Sequence, residues 1–154
     1  MSSWFVSSSD PGARSFLDEG VAAVNFWVRF PAAGLNAPAI KRHASGGHPD
    51  WDVLGKGQKT KFANQLARFA NEISVGDTVL TKDAKRPSKV LRGRVTGSYQ
   101  YADRPSIPDH PHALLVDWMD SLSRDDLPLA GAVIRNTRGF TVRELPDGYA
   151  LRRS

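Results

Sequence analysis

The stretch Gln58 to Val95, QKTKFANQLARFANEISVGDTVLTKDAKRPSKVLRGRV, changes its hydrophobic period partway along. Phe62, Leu66, Phe69 and Ile73 fall at i, i+4, i+7 and i+11, which predicts an amphipathic helix over 58–73 with one apolar face. Val75-Gly76-Asp77 then turns the chain into Thr78-Val79-Leu80-Thr81. Lys82 to Ser88 (KDAKRPS) turns it back into Val90–Val95, the pattern of a β-hairpin with a basic tip.

N-terminal to the helix, Pro31 to Gly57 carries five glycines besides further prolines and shows no sustained period, so it reads as one long loop insert, 31–57. Val21 to Phe30 (VAAVNFWVRF) is dense in β-branched and aromatic residues and reads as a strand ended by Pro31. Ala13 to Gly20 suits one or two helical turns. Trp4 to Ser7 reads as a first strand, stopped by the turn cluster Ser8-Ser9-Asp10-Pro11-Gly12.

On the C-terminal side Gly97 breaks the hairpin arm before Ser98-Tyr99-Gln100-Tyr101, where alternation puts both tyrosines on one face. Ala102 to Pro111 is loop, Ala113 to Met119 is strand, and Ser123 to Leu127 resembles a capped helical turn. Phe140–Arg143 and Tyr149–Leu151 suggest a closing hairpin around Pro146-Asp147-Gly148. Six or seven short strands with one long helix give an α+β class, a curved, barrel-like sheet with the helix packed on it, in a single domain over 1–154.

Composition narrows the chemistry. The chain has 154 residues, 21 Lys or Arg against 16 Asp or Glu, a formal charge of +5, and no cysteine. Disulfides, thiolate zinc sites, iron–sulfur clusters and cysteine nucleophiles are thereby excluded. No apolar run approaches the roughly 20 residues of a membrane span, and no basic segment precedes an apolar one at the N-terminus, so a cytoplasmic protein is expected.

The four histidines, His43, His48, His110 and His112, do not make a ligand set: His110-Pro111-His112 beside Asp109 looks like one, but reads as exposed loop histidines. Asp50 and Asp52 flank Trp51 without a partner carboxylate motif, and Asp125-Asp126 suits a helix N-terminus. There is no Gly-x-Ser-x-Gly, Walker loop or dinucleotide fingerprint. Gly93-Arg94-Val95-Thr96-Gly97 has the glycines of a phosphate loop without its strand–turn–helix context. A binding domain rather than an enzyme is expected, with no metal and no cofactor.

Basic residues accompany aromatic ones, a combination that suits nucleic acid, since cations neutralise phosphates and rings stack on bases. Lys56, Lys59, Lys61 and Arg68 lie on or before the helix, Lys61 and Arg68 sharing a face. Lys82, Lys85, Arg86, Lys89, Arg92 and Arg94 crowd the hairpin. Trp4 and Trp118 sit in apolar strands and read as core. Trp27 stands at a strand end and Trp51 in the polar loop, where it is either a ligand-facing ring or part of a satellite cluster.

The order of these parts is familiar. Trp4-x-Val6 with a Ser-rich turn, Glu19-Gly20-Val21-Ala22-Ala23-Val24 ending in Phe26-Trp27, Phe69-x-x-Glu72-Ile73, Val75-Gly76-Asp77-x-Val79, Gly93-Arg94-Val95-Thr96-Gly97-x-Tyr99-x-Tyr101 and His112-x-x-x-Val116-x-Trp118 resemble the EVE-like domains of the PUA/YTH superfamily. Such domains stand at the N-terminus of modification-dependent restriction proteins of the type IV, Mrr- or McrB-like kind. The resemblance runs from residue 4 to about 145 and is most specific over 75–101.

It implies a domain that flips a modified base, a methylated or hydroxymethylated cytosine, out of duplex DNA into an aromatic pocket. A nuclease or NTPase domain or partner would do the cutting. Carried over by position, the pocket comprises Trp27, Asn25, Ser8 and Ser9, with Tyr99 and Tyr101 following the Gly-Arg-Val strand; Asp10 is either an acceptor for an exocyclic amine or a turn residue, and Trp51, in the insert, competes with Trp27 and the tyrosines as a cage wall. Lys59, Lys61, Arg68, Lys82, Lys85, Arg86, Lys89 and Arg92 would hold phosphates. Two alternatives stay open: an RNA-binding PUA/YTH-like module, and a nucleotide-binding small-molecule domain.

Overall fold

The computed structural model describes residues 2–7, 12–83, 86, 89–123 and 141–145. Ser8, Ser9, Asp10 and Lys85 lie outside these, as do most of the expected capped turn after Ser123 and the second arm of the closing hairpin. In chain order the described elements are β1 (Ser3–Ser7), α1 (Gly12–Glu19), β2 (Val21–Val24), α2 (Ala37–Ala44), α3 (Pro49–Asp52) and α4 (Lys56–Asn71). They continue with β3 (Thr78–Lys82), β4 (Lys89–Val95), β5 (Gln100–Tyr101), β6 (His112–Ser123) and β7 (Thr141–Leu145).

The strands form one curled sheet in the order β2-β6-β4-β3-β1-β7, with β5 added beside β6, an α+β architecture compatible with a PUA- or EVE-like fold. All pairings are antiparallel except β1 with β3, whose register sets Trp4 opposite Val79. The start of β6 is flanked on both sides: His112 lies opposite Val24 of β2 and opposite Tyr101 of β5. That pairing brings the chain leaving β2 and the chain leaving β5 to one corner.

α4 forms as its period predicts, Phe62, Ala63, Leu66 and Phe69 being buried against the sheet. Gln58 reaches back to accept the Gly55 N–H at 3.1 Å, satisfying one orphan donor of the first turn. The hairpin β3–β4 also forms as expected, with Thr78 opposite Arg94. Its leading turn is fixed by buried Asp77, whose carboxylate accepts from the Ser2 N–H, the Ser74 N–H and the Trp4 indole Nε1–H at 3.1, 2.8 and 3.1 Å.

The insert 31–57 is not one loop. Asn36 caps α2 by accepting the Ala39 N–H at 3.0 Å, and Pro38 sits in the first turn, where its missing N–H costs nothing. α2 then buries Ile40 and Ala44, and α3 buries Trp51, so the insert contributes core as well as surface. The second strand is likewise shorter than the run VAAVNFWVRF suggests, ending at Val24. The Ser98–Tyr101 run shortens to β5, and β7 pairs with β1, Val142 opposite Val6.

Gly93 and Gly97, which superficially suggested a phosphate loop, are set by packing. A Cβ on Gly93 would stand 2.5 Å from Val116 Cγ1 and 2.9 Å from the Asp117 carbonyl, where β4 bulges against β6. Backbone cannot yield there cheaply. Gly93→Ala is expected to destabilise the domain by about 2 kcal/mol through overpacking, read as a lower urea midpoint with an unchanged slope.

Candidate functional site

The corner between β2 and β5 holds the most unusual backbone of the described residues. The Val28 N–H closes a tight turn on the Asn25 carbonyl at 3.4 Å, and both central residues, Phe26 and Trp27, have left-handed φ values of 52° and 56°. Asn-Gly pairs normally supply that conformation; two bulky aromatic residues in it cost about 1–2 kcal/mol each. Burial offsets the cost. Phe26 is fully buried with its ring 5.5 Å from Phe62, and the half-buried Trp27 ring stacks on Phe62 at 5.1 Å and 18°.

Asn25 locks this turn and passes the constraint onward. Its Oδ1 accepts from the Trp27 N–H at 3.0 Å and from Arg29 Nη1 at 2.7 Å, so the guanidinium is held by a charge-assisted bond from a buried amide. Across from it the Ile107–His110 turn closes at 3.1 Å, with Pro108 at its first central position and Asp109, φ 65°, at its second. The type II pattern usually places Gly or Asn there. Phe26, Trp27 and Asp109 are the only non-glycine residues with positive φ among those described; Asp109 lines the cleft beside this corner, and the Phe26–Trp27 turn leads into Arg29, which lines it too.

That cleft has a volume of about 100 Å³ and is lined by Arg29, Tyr101, Asp103, Pro105, Asp109 and Pro111. Arg29 Nη2 stands 4.0 Å from Asp109 Oδ1, an ion pair too long for a hydrogen bond. Burial first, and next the Asp103 carboxylate, hold the Tyr101 hydroxyl above its usual pKa, while Arg29 acts in the opposite sense. Tyr101 is therefore a neutral phenol at physiological pH.

The two walls are braced by His112. Its Nε2–H donates to the Val28 carbonyl at 2.8 Å, which leaves Nδ1 as the acceptor for the Tyr99 hydroxyl at 2.6 Å, and Tyr99 in turn accepts the Ala32 N–H at 3.0 Å. The Tyr101 ring rests on the same imidazole, centroids 5.3 Å apart. Burial, opposed by the Val28 bond and aided by nearby Arg29, lowers the His112 pKa to about 4. Burial likewise pushes Tyr99 up to about 12. Neither His110 nor His112 is an exposed loop residue: both are buried, and His110 Nδ1 bonds the Pro108 carbonyl at 2.8 Å.

Of the aromatic candidates, Tyr101 alone lines the cleft. Tyr99 points its hydroxyl into the brace, and Trp27 covers Phe62. Trp51 belongs to α3 and is fully buried, with no hydrogen-bond partner for its Nε1 among the described residues, so it presents no ring face to a ligand. Trp4 is core as expected. Trp118 is half-buried, stacks on Phe16 at 6.3 Å and donates Nε1–H to the Val21 carbonyl at 3.0 Å.

The cations divide between two regions. Lys61 and Arg68 do share a face, lining a groove of about 830 Å³ between α4 and residues 34–37, although Arg68 also pairs with Glu72 at 3.6 Å. Lys59 lies on the same helix. On the hairpin, Lys82 and Lys89 are half-buried at the arm ends and Arg86 pairs with Asp83 at 3.1 Å. Arg92, expected on phosphate, forms a bidentate pair with Asp120 at 2.9 and 2.6 Å, which ties β4 to β6 and occupies its guanidinium. Among the described residues no group of three or more His, Asp or Glu is placed to hold a metal ion, and no helix is long and apolar enough to cross a membrane.

Sequence reasoning passed over Arg29 and Asp103, and weighed Asp109 only beside His110 and His112 as an apparent ligand set. Pro108-Asp109 is a readable turn signal, but nothing in the sequence pairs it with Arg29. A family model described as a domain of unknown function, DUF8426, matches residues 40–143. The match takes in the Tyr101–Pro111 wall of the cleft and begins after the Asn25–Arg29 wall. None of the curated proteins compared with the chain matches it.

Proposed function

The chain belongs to the DUF8426 family, and we propose that it reads duplex DNA by accepting a flipped, modified base at the cleft between Arg29 and Tyr101. The observation that carries this reading is backbone strain in the two turns that supply the lining residues Arg29 and Asp109. Asp109 lines the cleft in a left-handed conformation, and Arg29 follows two further left-handed residues, Phe26 and Trp27, in the turn before it; strain of this kind clusters at ligand sites. The cleft chemistry suits a base. Tyr101, Pro105 and Pro111 offer flat apolar surface, and Asp103 offers an acceptor for an exocyclic amine, as carboxylates do with cytosine.

The expected ligand is a methylated or hydroxymethylated cytosine, with the phosphates held by Lys59, Lys61 and Arg68 of α4 and by the hairpin lysines. A charge of +5 favours encounter with a polyanion. In this role the domain would direct a restriction system, its nuclease supplied by another domain or a partner. The likeness in fold to PUA/EVE-like domains supports the reading without naming the modification.

The test is a titration of matched duplexes, unmodified or carrying 5-methylcytosine, 5-hydroxymethylcytosine or 6-methyladenine at one site, at two salt concentrations. A modified cytosine is expected to bind roughly 10-fold tighter, a gain of about 1.4 kcal/mol that persists at the higher salt while the common affinity falls. Equal, salt-sensitive binding to every duplex would reduce the protein to a basic surface. Tighter binding of methylated RNA than of methylated DNA would move it to the RNA-binding class.

A further inference from the structure

Among the described residues Arg29 is hydrogen-bonded on one side only. Buried Asn25 fixes Nη1 at 2.7 Å, whereas Nη2 faces the Asp109 carboxylate across 4.0 Å, and that carboxylate is 81% exposed. The turn carrying Asp109 is independently anchored: the His110 N–H bonds the Ile107 carbonyl and the buried His110 ring bonds the Pro108 carbonyl. The Asp109 side chain can therefore leave Arg29 without unravelling the turn. Its own backbone, at φ 65°, would be better served by Gly or Asn. What Asp adds there is a negative charge facing a fixed guanidinium.

We propose that Arg29 is a phosphate-binding residue and that Asp109 is its built-in placeholder, a carboxylate that faces the open edge of the guanidinium until a phosphoryl group replaces it. The planar fork of Arg matches phosphate oxygens, and preorientation by Asn25 removes part of the entropic cost of binding. Of the two carboxylates lining the cleft, Asp109 is the one in ion-pair contact with Arg29. The inference rests on the nucleic-acid reading only for the source of the phosphate: a phosphodiester next to the flipped base, or a small phosphorylated ligand.

The test uses the full chain, titrated with inorganic phosphate, deoxycytidine, deoxycytidine 5′-monophosphate and the modified duplex. Asp109→Asn keeps the shape and suits positive φ, so it removes charge alone. It is expected to tighten inorganic phosphate and the monophosphate about five-fold, the effect of deleting one charge at 4 Å in a solvated site, while leaving deoxycytidine unchanged. Arg29→Met is expected to abolish the phosphate response in either background. Glu144→Gln, on β7 at the opposite edge of the sheet from β2, controls for net charge and should change affinity less than about two-fold at 0.15 M salt.

Unchanged or weaker phosphate binding in Asp109→Asn, or a phosphate response surviving Arg29→Met, overturns the proposal. A five-fold gain on the duplex as well identifies the phosphodiester as the source. A gain confined to inorganic phosphate and the monophosphate leaves the Arg29 site standing and makes a small phosphorylated ligand its source, while loss of any preference for the modified duplex is what sinks the DNA-reading function, so the two failures are separable.

Discussion

Acidification from pH 7 to below pH 4 is expected to remove about 3 kcal/mol of stability through His112 alone. The sign follows from proton uptake. In the unfolded chain the imidazole protonates near its ordinary 6.5, but in the folded protein only near 4, because burial disfavours its charge. Between those values the unfolded state binds more protons, so the stabilisation is complete above about pH 6.5 and lost as pH falls through 4.

The hydrogen bonds give the same answer. A second proton on Nδ1 would meet the Tyr99 hydroxyl, whose oxygen already accepts from Ala32, and the new charge would lie near Arg29. Urea midpoints at pH 7, 5.5 and 4.5, with the His112 ring proton shifts followed by NMR, provide the check. An imidazole titrating near 6.5 in the folded protein would contradict the brace. At the other end Tyr99 contributes stability that is complete below pH 10 and declines as pH rises through 12.

What the sequence made legible was whatever repeats. The 3.6-residue period of Phe62, Leu66 and Phe69 and the alternating arms of β3 and β4 report one face buried against the rest of the protein, and both elements formed. Short elements without a full period were harder to see. In α2 the signal was present as Asn36 followed by Pro38, a cap and a first-turn proline, but Pro in a Gly-rich stretch reads first as a breaker.

The site was least legible for a physical reason. β-propensity extends Asn25-Phe26-Trp27 as strand, and only the tertiary burial of Phe26 against α4 outweighs the cost of left-handed φ at two aromatic residues. That override lays the Trp27 ring on Phe62 and puts Arg29 in one cleft with Tyr101. His112 was misread in the same way: beside Pro111 it looked like loop, yet it is the first residue of β6, and its neighbours on both sides are strands. Arg92 shows the converse, a cation in a basic run whose cross-strand partner, Asp120, no local pattern announces.

Arg29→Met is expected to weaken binding of a duplex carrying the preferred base about 30-fold, since hydrogen bonds to a charged group contribute about 1.5–3 kcal/mol. The fold should survive, because Arg29 is about one-third exposed and lies outside regular structure. Lys61→Ala with Arg68→Ala provides the contrast. Those residues lie on the outer face of α4, so their loss should weaken modified and unmodified duplexes alike and lower the salt slope by about 2.

On the proposed function, Arg29→Met should instead weaken the modified duplex far more than the unmodified one, because the cleft would engage a strand only where a base has left the stack. Tyr101→Ala separates the remaining contribution: loss of the stacking surface should narrow the preference among bases by about 1–3 kcal/mol while leaving inorganic phosphate binding intact. Equal losses for both duplexes in Arg29→Met would mean that its cation is one of many on a basic surface. The strained turns around it would then serve packing alone.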